Sequence, residues 1–373
     1  MRTFDNNLQA FFALVRAGLW EQDVRLSSYG FIDYEKVFSY SEEQSIVGIV
    51  AAGLEHVIDV NPPKDILLSF VGRALQLEQR NKAMNLFVSK LINDLQGKGI
   101  NVLLVKGQGI AQCYSRPELR SSGDIDLLLD GDSYRKSISY LSSISKVQEE
   151  EIPELLHQSF VVGNWEVELH GSLRGGLTKR IDNFIDRIQT ETFDENKIRV
   201  WNHNGVDVLI PAPNNDLIFV FSHILQHFFK EGVGLRQICD LCRLLWAFKN
   251  SIDSSLLKRR LSEMRLETEW NVFLTFAARW LGMPIEAIPC YSPNKQWYNK
   301  ADRICYSIIE TGNFGHNRDY SYYKNHSYIK YKTISLIRHC KDFIRQIKIF
   351  PVDSVIIWTK MVLHSFYMFL RGR

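Results

Sequence analysis

Two aspartates, a later acidic strand and a glycine turn are the residues through which this chain could do chemistry. Asp124 and Asp126 flank Ile125 at the head of an apolar run that ends at Leu129, and strand alternation puts both carboxylates on one face. Like charges crowded in this way are costly unless a cation lies between them, and hard oxygen ligands on a rigid strand suit Mg²⁺. Upstream, the apolar run Val102–Val105 stops at Lys106-Gly107 and gives way to a short periodic segment over 108–115, which reads as strand, turn and helix. Further on, Trp165-Glu166-Val167-Glu168-Leu169-His170 alternates, with Glu166, Glu168 and His170 on one face and Val167 and Leu169 on the other.

The ordered combination resembles a known family. Glycine after a strand, then Asp-x-Asp on the next strand, resembles the nucleotidyltransferase fold shared with DNA polymerase beta. Lys106-Gly107, Tyr114, Pro117, Arg120 and Asp124-Ile125-Asp126-Leu127-Leu128 are similar, at this spacing, to an uncharacterised bacterial nucleotidyltransferase family often associated with polysaccharide-biosynthesis loci. Weaker similarity runs through His170, Gly234–Leu245 and Gly312-Asn313-Phe314-Gly315. The wider fold carries Ser or Gly directly after the first glycine, where this chain has Gln108 and regains glycine at Gly109.

The resemblance implies an α+β fold: a polymerase-beta-like nucleotidyltransferase core with a small mixed sheet, flanked by N-terminal and C-terminal helical regions. It also implies an enzyme that moves an NMP from an NTP, ATP among the candidates, to a hydroxyl or phosphate acceptor with release of pyrophosphate. Two metal ions roughly 3.5–4 Å apart can serve both the nucleophile and the leaving group, and three carboxylates can hold them. Asp124 and Asp126 are the first two. The family pattern of a third carboxylate between apolar residues fits Glu168, with Glu166 an open alternative. Mg²⁺ is the expected cofactor, with Mn²⁺ as the alternative ion. The Gly107 turn lets backbone N–H groups approach a triphosphate at a helix N-terminus. Lys106, Gln108 and Arg120 are the neighbouring candidate nucleotide contacts, arginine having the better geometry for bidentate binding. In the resembled family an Arg and an Asp recur beside the nucleotide, which points to Arg236 and Asp240; their i, i+4 spacing equally predicts an intrahelical ion pair.

The elements that must position these residues follow from periodicity. At 373 residues, 45% hydrophobic and 23% charged, the chain is long and apolar enough for a sizeable core, and a net charge of +3 does not by itself point to nucleic acid. Residues 1–98 read as a helical preface, with Leu8, Phe11, Phe12, Val15 and Leu19, then Ile46, Ile49, Val50 and Leu54, at helical spacing. A long amphipathic run over 65–95 carries Leu68, Val71, Leu75, Leu86 and Leu91. Residues 99–211 form the expected catalytic core, with a helix over 133–142 and strands near 146–150, 158–162, 198–201 and 206–210. Residues 212–318 read as a helical domain packing on the cleft. His223 and His227 share a helical face there, a spacing that suits zinc, cleft lining or packing. The aromatic stripe Trp270, Phe273, Phe276 and Trp280 reads as core.

Residues 319–373 form a basic aromatic tail, with ten Lys or Arg from Tyr320 onward against Asp342 and Asp353. Lys360 and His364 interrupt Val352–Leu370, which argues against a membrane-spanning helix and leaves a membrane surface, a biosynthetic complex or a solvated face as the tail's expected contacts. Six cysteines without framework spacing and the absence of a signal pattern point to the cytoplasm, or to the periphery of the inner membrane if the tail docks there. The expected partners are therefore an NTP and an acceptor, with nucleic acid not indicated. The competing expectations are an inactive nucleotide-binding scaffold and a toxin-like transferase acting on tRNA or protein.

Overall fold

In the computed structural model, which describes residues 5–153, 155–318 and 328–370, the order is α1 (Asn6–Trp20), α2 (Tyr34–Glu43), α3 (Val47–Leu54), α4 (Lys64–Gln96), β1 (Val102–Val105), α5 (Gly107–Ala111), β2 (Ile125–Leu129), α6 (Gly131–Ile144), β3 (Lys146–Ile152), β4 (His157–Val162), β5 (Trp165–His170), α7 (Lys179–Asp194), β6 (Ile198–His203), β7 (Val206–Pro211), α8 (Pro213–Lys230), α9 (Leu235–Ala247), α10 (Ser254–Met264), α11 (Glu267–Leu281), α12 (Lys295–Thr311), α13 (Tyr328–Gln346) and α14 (Pro351–Leu370). Part of the expected tail, 319–327 and 371–373, lies outside the described residues. The fold is α+β with a small mixed sheet between helical regions, as the sequence predicts.

The five-stranded sheet runs β1-β2-β5-β4-β3, and only β2 and β5 pair in parallel. Ile125, Leu127, Leu129, Val167 and Leu169 turn one sheet face onto Val88, Leu91, Ile92 and Leu95 of α4 and Tyr134 and Leu141 of α6. The opposite face meets a larger core in which Leu103, Val105 and Leu128 join the N-terminal helices and the helices after β7. Trp270, Phe273 and Phe276 are wholly buried in that core, as expected of the aromatic stripe.

Two readings of the helices need correction. On α4, Leu91 is buried as expected, but Leu68, Val71, Leu75 and Leu86 are exposed while Phe70, Leu77, Met84 and Val88 face inward, so most of the buried stripe is rotated from the expected one. Helix α7 was not anticipated, although Thr178 caps the Ile181 N–H and Ile181, Ile185 and Ile188 recur at helical spacing.

The C-terminal helix is tied to the body. Ile357 is buried in the larger core, and Lys360 Nζ donates to the Gly176 carbonyl at 3.1 Å. No helix among the described residues is long and apolar enough to cross a membrane. Buried Glu269 of α11 lies against Asp353 of α14, itself 3.6 Å from Arg180 Nη2. Burial first, and the Asp353 carboxylate second, push the Glu269 carboxyl up to about 8. The folded protein therefore holds a proton that the unfolded chain releases near pH 4.5. Its contribution to stability is full below pH 4.5 and falls as pH rises toward 8. Glu269→Gln keeps the shape without the titration. Denaturant unfolding at pH 5 and pH 8.5 should show the wild type losing on the order of 2–4 kcal/mol more than the variant; parallel losses would contradict this assignment.

Candidate active site

The chain leaves β1 through a backbone that only glycine adopts easily. Lys106 has φ 57° and ψ −143°, and Gly107, at φ 30°, opens the five-residue α5. A side chain held there costs on the order of 1–3 kcal/mol, and such strain persists where the surroundings fix it. What fixes it here is the ammonium, 2.8 Å from Asp126 Oδ1. Comparing Lys106→Gly with Lys106→Ala removes the amine from both, so glycine should unfold about 1 kcal/mol later, after allowing for its looser unfolded chain. Equal stabilities would show that the turn is unstrained.

Strand alternation and parallel pairing bring the acids together. Asp126 stands directly opposite Glu168 in the β2–β5 ladder, with Ile125 opposite Val167 and Leu127 opposite Leu169 on the buried face. Asp124, just ahead of the strand, shares the Asp126 face, and one carboxylate oxygen from each of Asp124, Asp126 and Glu168 lies within 4.8 Å of the others. Glu166 points to a different neighbour, accepting from Ser159 Oγ at 3.2 Å. It is Glu168, therefore, that stands beside the aspartates.

The charges are unevenly satisfied. Asp126 first and burial second push Asp124 up to about 6. Burial would raise Asp126 as well, but the Lys106 ammonium and His170, whose Nε2 is 2.9 Å from Oδ1, hold it below the usual range. At Glu168, burial is outweighed by His157 at 3.2 Å and His170 at 3.4 Å, leaving it well below the ordinary carboxylate range. Three carboxylates thus face one ammonium. A cation among them would relieve the repulsion that raises Asp124, and the all-oxygen set of Asp124, Asp126 and Glu168 fits Mg²⁺.

These groups open into a cavity of about 490 Å³ also lined by His223, His227, Arg236, Asp240 and Phe314. Arg120 grips Asp240 through two hydrogen bonds of 2.7 Å, from Nε and Nη2, and the Tyr114 hydroxyl donates to the same carboxylate at 2.8 Å. The expected Arg236–Asp240 helical pair consequently does not form. Arg236 instead donates to the Ser121 carbonyl at 3.3 Å and lies 5.3 Å from the Phe314 ring, its buried Nε without a hydrogen-bond partner among the described residues. Burial and the nearby Arg120 lower its proton affinity, so an anion in the cavity would relieve it. Gln108 is turned away from the cavity: its amide donates to Asn85 Oδ1 of α4 at 2.6 Å. His223 and His227 both face the cavity, Nε2 to Nε2 at 3.0 Å, and His227 Nδ1 is 3.0 Å from Glu231.

A family model described as an uncharacterised nucleotidyltransferase matches residues 31–282, from just before α2 to the end of α11. The chain belongs to that family. Among solved structures it is similar to an antigenic nucleotidyltransferase-like protein from Paracoccidioides brasiliensis, at 15% identity and a TM-score of 0.32, covering 54% of this chain and 93% of that one. No curated protein matches. Family membership covers the turn, the three acids, Arg120, Arg236 and Asp240, whereas Phe314 lies beyond the matched residues. Sequence reasoning assigned no role to Tyr114, His157 or Phe314. His157 is opposite His170 only once the β4–β5 register is known, and Phe314, at φ 51°, reaches the cavity from a turn whose signals were its flanking glycines and a weak family similarity.

Proposed function

We propose that this chain transfers a nucleotidyl group from an NTP to an acceptor hydroxyl or phosphate. The observation that carries the reading is Asp126 facing Glu168 across the parallel β2–β5 pair, with Asp124 and the Lys106 ammonium beside them. Asp124, Asp126 and Glu168 would hold Mg²⁺, which when bound screens the phosphates and polarises the reacting phosphorus. Lys106 and Arg236 line the same cavity and would bind phosphate oxygens, Arg236 having no carboxylate at ion-pair distance among the described residues. Arg120 acts one step back, holding Asp240 at the cavity wall. The acceptor oxygen bonds to the α-phosphorus, its bond to the β-phosphate bridge breaks, and pyrophosphate leaves as the acceptor loses its proton. Because the two histidines lower its proton affinity, Glu168 is a weak base and suits a ligand role better than that of a general base.

The association of the resembled family with polysaccharide loci makes sugars and sugar phosphates the first acceptors to test. Purified protein would receive each NTP with Mg²⁺ or Mn²⁺ and a cell-extract acceptor pool, beside an Asp124→Asn/Asp126→Asn variant. Pyrophosphate release that the variant lacks supports transfer. Neither release nor metal-dependent NTP binding by calorimetry would overturn the reading. NTP binding without release in any acceptor pool favours an inactive scaffold, in which Lys106 takes the place of the cation beside Asp126.

A further inference from the structure

The cavity contains a second set of converging donors, on β4 and β5 around Glu168. His157 of β4 is directly opposite His170 of β5, and Glu168 sits on the same sheet face two residues from His170. Both imidazole Nε2 atoms approach one oxygen, Glu168 Oε2, at 3.2 and 3.4 Å. Ligand atoms around a tetrahedral ion with bonds of about 2.0–2.1 Å lie about 3.3–3.4 Å apart, which the two histidine–carboxylate separations match, and all three ligand atoms lie within 4.8 Å of one another. Asp126 Oδ1, 2.9 Å from His170 Nε2, is within reach of a fourth position.

We propose that His157, Glu168 and His170 form a two-histidine, one-carboxylate centre for a first-row transition-metal dication. Imidazole nitrogen separates this centre from the all-oxygen set: Zn²⁺, Co²⁺ and Mn²⁺ accept such ligands, whereas Mg²⁺ prefers oxygen. All three side chains stand on paired strands and line the cavity, giving a rigid frame and a path for entry. Glu168 belongs to both sets and would bridge them. The centre does not depend on nucleotidyl transfer, because it needs neither nucleotide nor acceptor.

The test uses the full chain, stripped with a chelator and titrated with Co²⁺ while visible d–d absorption is recorded. One saturable band per chain is expected, displaced by stoichiometric Zn²⁺ and unaffected by a large excess of Mg²⁺. His157→Ala and His157→Gln should each weaken Co²⁺ binding more than about tenfold, since even an outer-shell partner of a metal ligand costs that much, while Asp124→Asn retains the band. Pulsed EPR on the Cu²⁺-loaded wild type should show ¹⁴N couplings from imidazole, a readout that no variant's folding can blur. Absence of ¹⁴N coupling, Mg²⁺ displacing the band as readily as Zn²⁺, or unchanged affinity in folded His157 variants would each overturn the centre. Failure of pyrophosphate release would leave these readouts untouched, so the two readings fail separately.

Discussion

Asp126→Asn should reduce NTP-dependent pyrophosphate release by at least about 10³-fold, a barrier increase of about 4 kcal/mol. The size follows from the position of this carboxylate in the site. One oxygen takes the Lys106 ammonium at 2.8 Å and His170 at 2.9 Å, and the strand register sets the residue against Glu168. Removing a preorganised charge where the transition state needs it commonly costs 10²–10³ from one donor alone, and in the proposed reaction a cation ligand would be lost as well. Glu166→Gln is the matched control: it removes a carboxylate from the same strand that does not line the cavity, and release should stay within about twofold, as expected of a residue outside the differential-binding set. Equal losses in both variants, or Asp126→Asn keeping a tenth of the activity, would contradict the assignment.

The second large effect is on folding. Asp240→Ala should destabilise the protein by about 3–5 kcal/mol, because it strands a buried guanidinium. Arg120 and Asp240 are both nearly inaccessible, their two hydrogen bonds are 2.7 Å each, and Tyr114 adds a third donor. Burial opposes the Arg120 charge, yet Asp240 more than offsets it and holds the guanidinium protonated more firmly than in water. Arg120→Lys should not rescue the site, since an ammonium cannot reproduce the paired donors. Guanidinium denaturation at constant pH measures both variants. A loss below about 1 kcal/mol, the scale of exposed ion pairs, would show the pair to be no more than a surface contact.

Local patterns were legible in the sequence and long-range pairings were not. Alternation alone put Asp124 and Asp126 on one face and kept Ile125 off it. The same rule placed Glu166 and Glu168 together and could not choose between them; the choice came from Asp126 meeting Glu168 across strands more than forty residues apart in sequence. Arg236 and Asp240 show the converse. Their spacing permits a helical pair worth a few tenths of a kcal/mol, and a buried bidentate partner from a distant turn takes the carboxylate instead. Gln108 follows the turn glycine in sequence, yet a helix of five residues offers little choice of face, and its amide is drawn to Asn85 on α4. The α4 stripe failed because leucine and valine recur on two sides of that helix, and only the neighbours decide which side is covered.

Gln44, a wholly internal side chain just past α2, bears on how small this protein could be made. Its carbonyl oxygen receives the Leu235 N–H at 3.0 Å, capping the helix that carries Arg236 and Asp240, while its amide donates to the Ile308 carbonyl at 3.0 Å. Further along that helix, Arg243 donates to the carbonyls of Cys113 and Leu19, joining the segment after α5 to the last turn of α1. A shortened chain that starts at the strand before the glycine turn would keep every acid and lose the struts that aim the opposite wall at them. Residues far from the chemistry therefore help to set the width of the cleft.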